Sequence, residues 1–225
     1  MNNNNHPLFD EMAADYDQWF DQPDGEIIFA SELKALQEVL ISLPAPWLEI
    51  GVGSGRFAQA LGITTGLDPS GKLLDIARTR GILTLKGRIE DISLPLDSFG
   101  AVFLIMTMCF LDNPAAALLK IGQILKPAGK LIVADVPADS AWGSLYLEKK
   151  RRGHPFYGHA NFYTYQEWQD LINQAGFKIG RTISTLRQKP GQMAAIEEPV
   201  NGYEKGAGFL VITASKTSTT AEEEG

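Results

Sequence analysis

The 225-residue chain holds one cysteine, Cys109, and three histidines, His6, His154 and His159. A lone cysteine excludes an intramolecular disulfide and a thiolate metal cluster, and three scattered histidines make no zinc set, so no metal is expected. Long apolar runs are absent as well. The longest, Ala101 to Leu111, falls far short of the roughly 20 residues of a membrane-spanning helix. The N-terminal Met1-Asn2-Asn3-Asn4-Asn5 is polar and soon followed by acid, which is not the basic-then-apolar order of a secretory signal. The expected compartment is the cytoplasm, with no membrane as partner. Positive charge is scarce too: 20 Lys and Arg against 27 Asp and Glu leave a net charge of -7. That balance predicts no nucleic-acid partner, because phosphates call for a basic face. Lys149-Lys150-Arg151-Arg152 is the one basic cluster, and it reads as a solvated helix end.

What is present is a rhythm. Apolar residues recur at helical spacing over Asp10 to Phe20 and over Gly25 to Leu43, where Pro44 and Pro46 stop the second helix. Strand-like runs then alternate with helical ones: Trp47–Val52, a helix from Arg56, Thr64–Leu67, Lys72–Arg80, Ile82–Lys86, Ala101–Met108, Pro114–Leu125 and Lys130–Val136. Such alternation predicts βαβ units and a parallel sheet. Thr164 should cap a further helix that Gly176 closes. Phe177–Leu186 and Gly208–Ala214 have no helical segment between them, so they are paired antiparallel. The expected fold is α/β, a doubly wound, seven-stranded, mostly parallel sheet ending in an antiparallel pair. One domain over residues 1–216 is expected, with a helical cap at 1–43 and a lid insertion at 137–163. The polar Asn2–Asn5 and the Ser/Thr/Glu-rich stretch from Ser215 read as unstructured, leaving 217–225 as a disordered tail.

The sharpest motif is Leu48-Glu49-Ile50-Gly51-Val52-Gly53-Ser54-Gly55-Arg56. Glycines after a buried strand let the backbone turn tightly and approach a ligand at a helix N-terminus. Asp68 follows at the end of the next strand, where a carboxylate can accept from ribose hydroxyls. Dinucleotides and S-adenosylmethionine (SAM) compete for such a loop. The spacing is G-x-G-x-G, with Arg56 where the dinucleotide fingerprint has its third glycine. Glu49 adds negative charge, which suits a sulfonium and an ammonium better than a pyrophosphate. On this reading Asp68→Ala weakens cofactor binding and leaves the ligand-free protein unaffected.

Together these pieces resemble class I SAM-dependent methyltransferases of Rossmann-like fold, especially the ubiquinone/menaquinone-biosynthesis type and an uncharacterised prokaryotic branch. The likeness runs through Glu49–Gly55, Gly66-Leu67-Asp68-Pro69-Ser70, Gly87-Arg88-Ile89-Glu90-Asp91-Ile92, Asp97-Ser98-Phe99 and Leu125–Ile132, with Phe9–Asp17 similar to the subgroup's entry helix. The resemblance implies that Gly51, Gly53 and Gly55 border the methionine moiety of SAM and that Glu49 orients its ammonium. Asp68 and Pro69 would lie at the ribose, Ser70, Ile89 and Glu90 at the adenine, Thr107 beside the sulfonium, and Tyr16 against cofactor or substrate. Arg88 departs from the pattern, since many relatives carry Asp there.

The acceptor should sit where Met106–Phe110 leaves its strand, under the N-terminal helix and the segment Pro137–Tyr163. Met108, Phe110, His154, Tyr157 and Phe162 are the candidate substrate contacts. His159 is the first candidate general base and Tyr157 the second, against the alternative that the lid's aromatics only pack. Cys109, at a strand end among apolar neighbours, reads as inert, and Trp19 as core. The short lid favours a small-molecule acceptor, S-adenosylhomocysteine as the product, and a monomer or homodimer. Two other readings stay open: a non-catalytic SAM-binding sensor or partner subunit, and an NAD-dependent oxidoreductase.

Overall fold

The computed structural model describes residues 6–217; Asn2–Asn5 and residues 218–225 lie outside them. Eight strands form one sheet in the order β3-β2-β1-β4-β5-β8-β6-β7. They are β1 (Trp47–Ile50), β2 (Thr65–Asp68), β3 (Leu83–Lys86), β4 (Phe99–Ile105), β5 (Leu125–Asp135), β6 (Phe177–Thr185), β7 (Val200–Asn201) and β8 (Phe209–Lys216). β1 to β5 run parallel, and β8 enters antiparallel between β5 and β6. The strand beyond the expected seven is β7, two residues paired on the outer edge of β6.

The sheet separates two cores, and the alternation of side chains along each strand assigns them. Ala101, Phe103 and Ile105 of β4 join α3 (Pro23–Gln37), α4 (Arg56–Leu61), α5 (Gly71–Thr79) and α7 (Ala141–Arg151) on one face. Val102 and Leu104 join α6 (Pro114–Ile124) and α8 (Tyr165–Gln174) on the other. Two short helices, α1 (His6–Glu11) and α2 (Ala13–Trp19), precede this body.

Several boundaries move from the sequence expectation. The entry helix breaks at Met12, whose φ of -105° and ψ of 16° are not helical. α3 ends at Gln37, before Pro44 can stop it, and turns follow. β4 ends at Ile105 instead of Met108, because Met106 takes a left-handed φ of 51°. β8 continues through Ser215 and Lys216, which the polar composition had placed outside the fold: Ser215 pairs with Lys130 in the ladder. Thr164 does cap α8, in a full capping box with Glu167.

Candidate active site

The carboxyl ends of β1, β2 and β4 open into a cavity of about 350 Å³, roofed by the N-terminal helices and by α7 with the chain after it. Short strands with fixed ends make one wall. Gly51 has φ 72° and Gly53 φ 53°, conformations that strain any residue with a Cβ. A Cβ on Gly51 would also overlap the Thr107 side chain. Thr107 itself is held by its hydroxyl, which donates to the Ile105 carbonyl at 2.8 Å. Asp68 is the anchor of this wall. One carboxylate oxygen accepts from the Gly53 N–H at 2.9 Å and the other from the Ser70 N–H at 2.8 Å. Burial pushes Asp68 up to about 6 against the pull of those two donors.

Glu49 is 2% exposed, lines the cavity, and has one carboxylate oxygen with no hydrogen-bond partner. Burial, then the charge of Asp68, holds its pKa well above the usual range. A buried acceptor without a donor is costly unless a ligand supplies one. Glu49 therefore fits the ammonium of SAM, and the narrow glycine loop beside it fits an extended chain.

The helical cap is latched to this wall by ions. Arg56 Nε reaches Asp17 at 2.9 Å and Nη1 reaches Asp21 at 2.7 Å, while Arg80 Nη2 holds the other oxygen of Asp17 at 2.8 Å. Arg80 also donates to the Ser54 carbonyl at 2.6 Å. The residue that departs from the dinucleotide fingerprint, Arg56, thus ties α2 to the glycine loop. A second tie joins α1 to α5. The Ser70 hydroxyl donates to Asp10 at 2.5 Å and accepts from the Leu73 N–H as the α5 cap.

Tyr16, Glu49, Gly51, Gly53, Asp68, Pro69, Ile89, Glu90, Thr107, Phe110, His154 and Tyr157 all line the one cavity. Five expected site residues do not. Gly55 instead lets α4 approach α5, where a Cβ would lie 3.1 Å from that of Ala77, and Ser70 caps α5 behind the wall. Met108 is fully buried in the core that α6 and α8 share with the sheet and does not reach the cavity. Phe162 packs behind the lid, 6.1 Å from both the Tyr146 and Tyr157 rings. His159 is exposed at the end of the 3₁₀ turn Tyr157–His159, a turn that directs Tyr157 inward.

The lid wall is aromatic. Tyr146 and Tyr157 stack at 4.6 Å with their planes 17° apart, and Lys149 Nζ stands 5.5 Å from the Tyr157 centroid. Burial pushes Tyr157 up to about 12, so its hydroxyl stays a donor. His154 lies 4.8 Å from Tyr157 and has an unpartnered buried Nδ1. Burial and the Lys149 charge lower the pKa of that imidazole. Trp19, read as core, also lines the cavity and is 42% exposed. Cys109 is buried with its thiol pKa pushed up, mainly by desolvation.

Sequence reasoning missed Glu32, Lys149 and Phe156, which line the cavity as well. Glu32 left a trace: it is an acid on the apolar stripe of Ile28, Ala35 and Leu36. Lys149 follows Tyr146 by three residues, hence shares its face of α7. Phe156 carried no signal beyond being aromatic. Among the described residues, no group of three or more His, Cys, Asp and Glu could hold a metal ion. No helix among them is long and apolar enough to cross a membrane.

A family model described as a methyltransferase domain matches residues 26–181. An uncharacterised protein of Mycobacterium tuberculosis is 40% identical over 203 residues, spanning 90% of this chain and 71% of that one. An uncharacterised protein of Methanocaldococcus jannaschii is 34% identical over 209 residues, spanning 93% of this chain and 98% of that one. A crystal structure from Thermotoga maritima, described as a SAM-dependent methyltransferase and possible histamine N-methyltransferase, superposes with a TM-score of 0.86 at 36% identity. It covers 95% of this chain and 100% of that one. With the glycine loop, the Asp68 anchor and the strand order all of one type, this chain belongs to the class I SAM-dependent methyltransferases.

Proposed function

We propose that this methyltransferase acts on a small-molecule acceptor and releases S-adenosylhomocysteine. The observation that carries the reading is continuity: one cavity joins the Glu49–Asp68 wall to the aromatic wall of α7 and Tyr157. Asp68 would hold the ribose hydroxyls, since each of its oxygens accepts one backbone N–H and retains a lone pair. Glu49 would receive the ammonium. Gly51 and Gly53 would border the methionine chain, and Ile89, Glu90 and Pro69 the nucleoside. Thr107 and Tyr16 would flank the reacting end. SAM supplies an electrophilic methyl whose departing sulfur keeps the bonding electron pair.

The chain's own residues then position the acceptor and exclude water. The described part of residues 1–43 would serve as a cap and 137–163 as a lid on a single domain. Tyr157 would donate to the acceptor, Phe110 would pack against it, and His154, which lines the cavity where His159 does not, would contact it as well. A cavity of about 350 Å³ lies in the range of small-molecule sites, and a net charge of -7 suits a small acceptor better than a polyphosphate partner. The test is an acceptor screen that reads S-adenosylhomocysteine formation. Turnover with a compact acceptor is expected; turnover only with tRNA or protein would overturn the reading.

A further inference from the structure

A carboxylate inside an apolar cavity is costly until something pairs with it. Glu32 is 5% exposed and lines the cavity from α3. Among the described residues it has neither a hydrogen bond nor an ion pair; only burial and the charge of Asp135 act on it. None of the three cations lining this cavity pairs with Glu32. Arg56 is held by Asp17 and Asp21, Arg88 by Glu90 and Asp112, and Lys149 stands over the outer rim of the site, against the Tyr146 and Tyr157 rings. Asp135 is buried as well, and one of its oxygens also lacks a partner. Tyr16, Tyr146 and Tyr157 lie close enough to feel the Glu32 charge.

Negative charge and ring faces together describe a site for a cation. We propose that Glu32 recognises the methyl acceptor, and that the acceptor is a small amine whose ammonium pairs with the Glu32 carboxylate among the Tyr16, Tyr146 and Tyr157 rings. The proposal rests on the methyltransferase reading and names its substrate class. An acceptor bearing a carboxylate would meet Glu32 as a like charge, with the buried Asp135 adding to the repulsion from behind. An alcohol would offer one donor and leave the charge unopposed. An ammonium supplies both the charge and the N–H donors. It also has a route to the nucleophilic form: one N–H proton passes to a Glu32 oxygen and the bonding pair stays on nitrogen. Burial and Asp135 push Glu32 up to about 8. Below that pH the acid is neutral without a ligand, the pairing ammonium is what draws it into the charged form, and the carboxylate readily takes the proton back.

The test is calorimetry on the full chain saturated with S-adenosylhomocysteine. The probes are benzylamine, 2-phenylethylamine and 4-phenylbutylamine, each beside its alcohol and its carboxylate. At least one amine is expected to bind, with its alcohol and carboxylate roughly tenfold weaker or worse. Glu32→Gln should weaken that amine by roughly tenfold or more and leave S-adenosylhomocysteine affinity unchanged, and Glu32→Leu serves as the second variant. Three results would overturn the proposal: no amine binds the wild-type protein, an alcohol or carboxylate matches its amine, or both variants bind the amine as the wild type does. Failure of S-adenosylhomocysteine itself to bind the wild type would sink the cofactor reading, and this proposal with it.

Discussion

The two walls of the cavity are built in opposite ways. The glycine-loop wall is backbone and strand ends, with Asp68 clamped by two N–H groups and Gly51 fitted against Thr107. The lid wall is side chains carried by α1, α2, α3, α7 and the chain after α7, meeting through ring contacts such as Tyr146 on Tyr157 and Phe9 on Phe156. Backbone that is fixed by a sheet holds its shape without a ligand, whereas a wall of side chains drawn from several separate segments can be rebuilt residue by residue. The first arrangement suits a ligand that a whole family shares. The second suits one that differs from member to member.

The sharpest way to break this contrast is at its most rigid point. On the proposed reading, Asp68→Ala would remove the acceptor for two ribose hydroxyls, at about 1.5–3 kcal/mol each for bonds to a charged group. Cofactor affinity should fall by about a hundredfold or more, read by calorimetry. The structure also corrects the expectation that the ligand-free protein is unaffected. Gly53 and Ser70 would lose their only carboxylate partner, so stability without ligand should fall by about 1–3 kcal/mol. Wild-type affinity in this variant would remove Asp68 from the cofactor site.

The lid side can be sharpened through pH. Glu32 rises from 4.5 to about 8 on folding, so between those values the folded state holds more protons than the unfolded one. Stability should therefore be highest at the acid end of that window, fall as pH rises through it, and level off above it. Asp135, raised to about 7, and Asp68, raised to about 6, act in the same direction over narrower windows. Glu32→Gln should flatten the fall by something on the order of a few kcal/mol. Chemical denaturation across the window measures it, and an unchanged slope would show that Glu32 is paired in solution.

The smallest effect is expected at His159. It is exposed and outside the cavity, while His154 lines it, so His159→Ala should leave turnover within about twofold. His154→Ala should lower turnover by at least about tenfold, with cofactor affinity unchanged; both figures are far below or near the foot of the range for removal of a general base. The reverse ranking would restore the role that sequence reasoning gave to His159.

How much could be read from the sequence follows the same division. The glycine loop and Asp68 are local signals, and the strand–helix alternation from Trp47 to Val136 carries the parallel sheet, although the order of its strands is seen only in the structure. β7 escaped because two paired residues carry no periodicity. Met108 was misplaced because a run of apolar residues does not reveal where a strand ends, and the left-handed turn at Met106 sends it into the core that α6 and α8 share with the sheet. Glu32 and Lys149 escaped for a different reason. They join the site through contacts between helices far apart in the chain, and a single charged residue in a helical pattern does not disclose its tertiary neighbours. Of the two candidate bases, a single 3₁₀ turn brings Tyr157 to the cavity and leaves His159 exposed outside its lining, a distinction that no local pattern discloses.

The central claim is that the rigid wall is built for SAM. Thermal unfolding of the wild-type protein with S-adenosylhomocysteine, and separately with NAD and NADP, tests it most directly. Ligand at a hundredfold excess over its Kd stabilises the folded state by about 2.7 kcal/mol. The account predicts a clear upward shift with S-adenosylhomocysteine and none with either dinucleotide; a shift with NAD or NADP alone would contradict it.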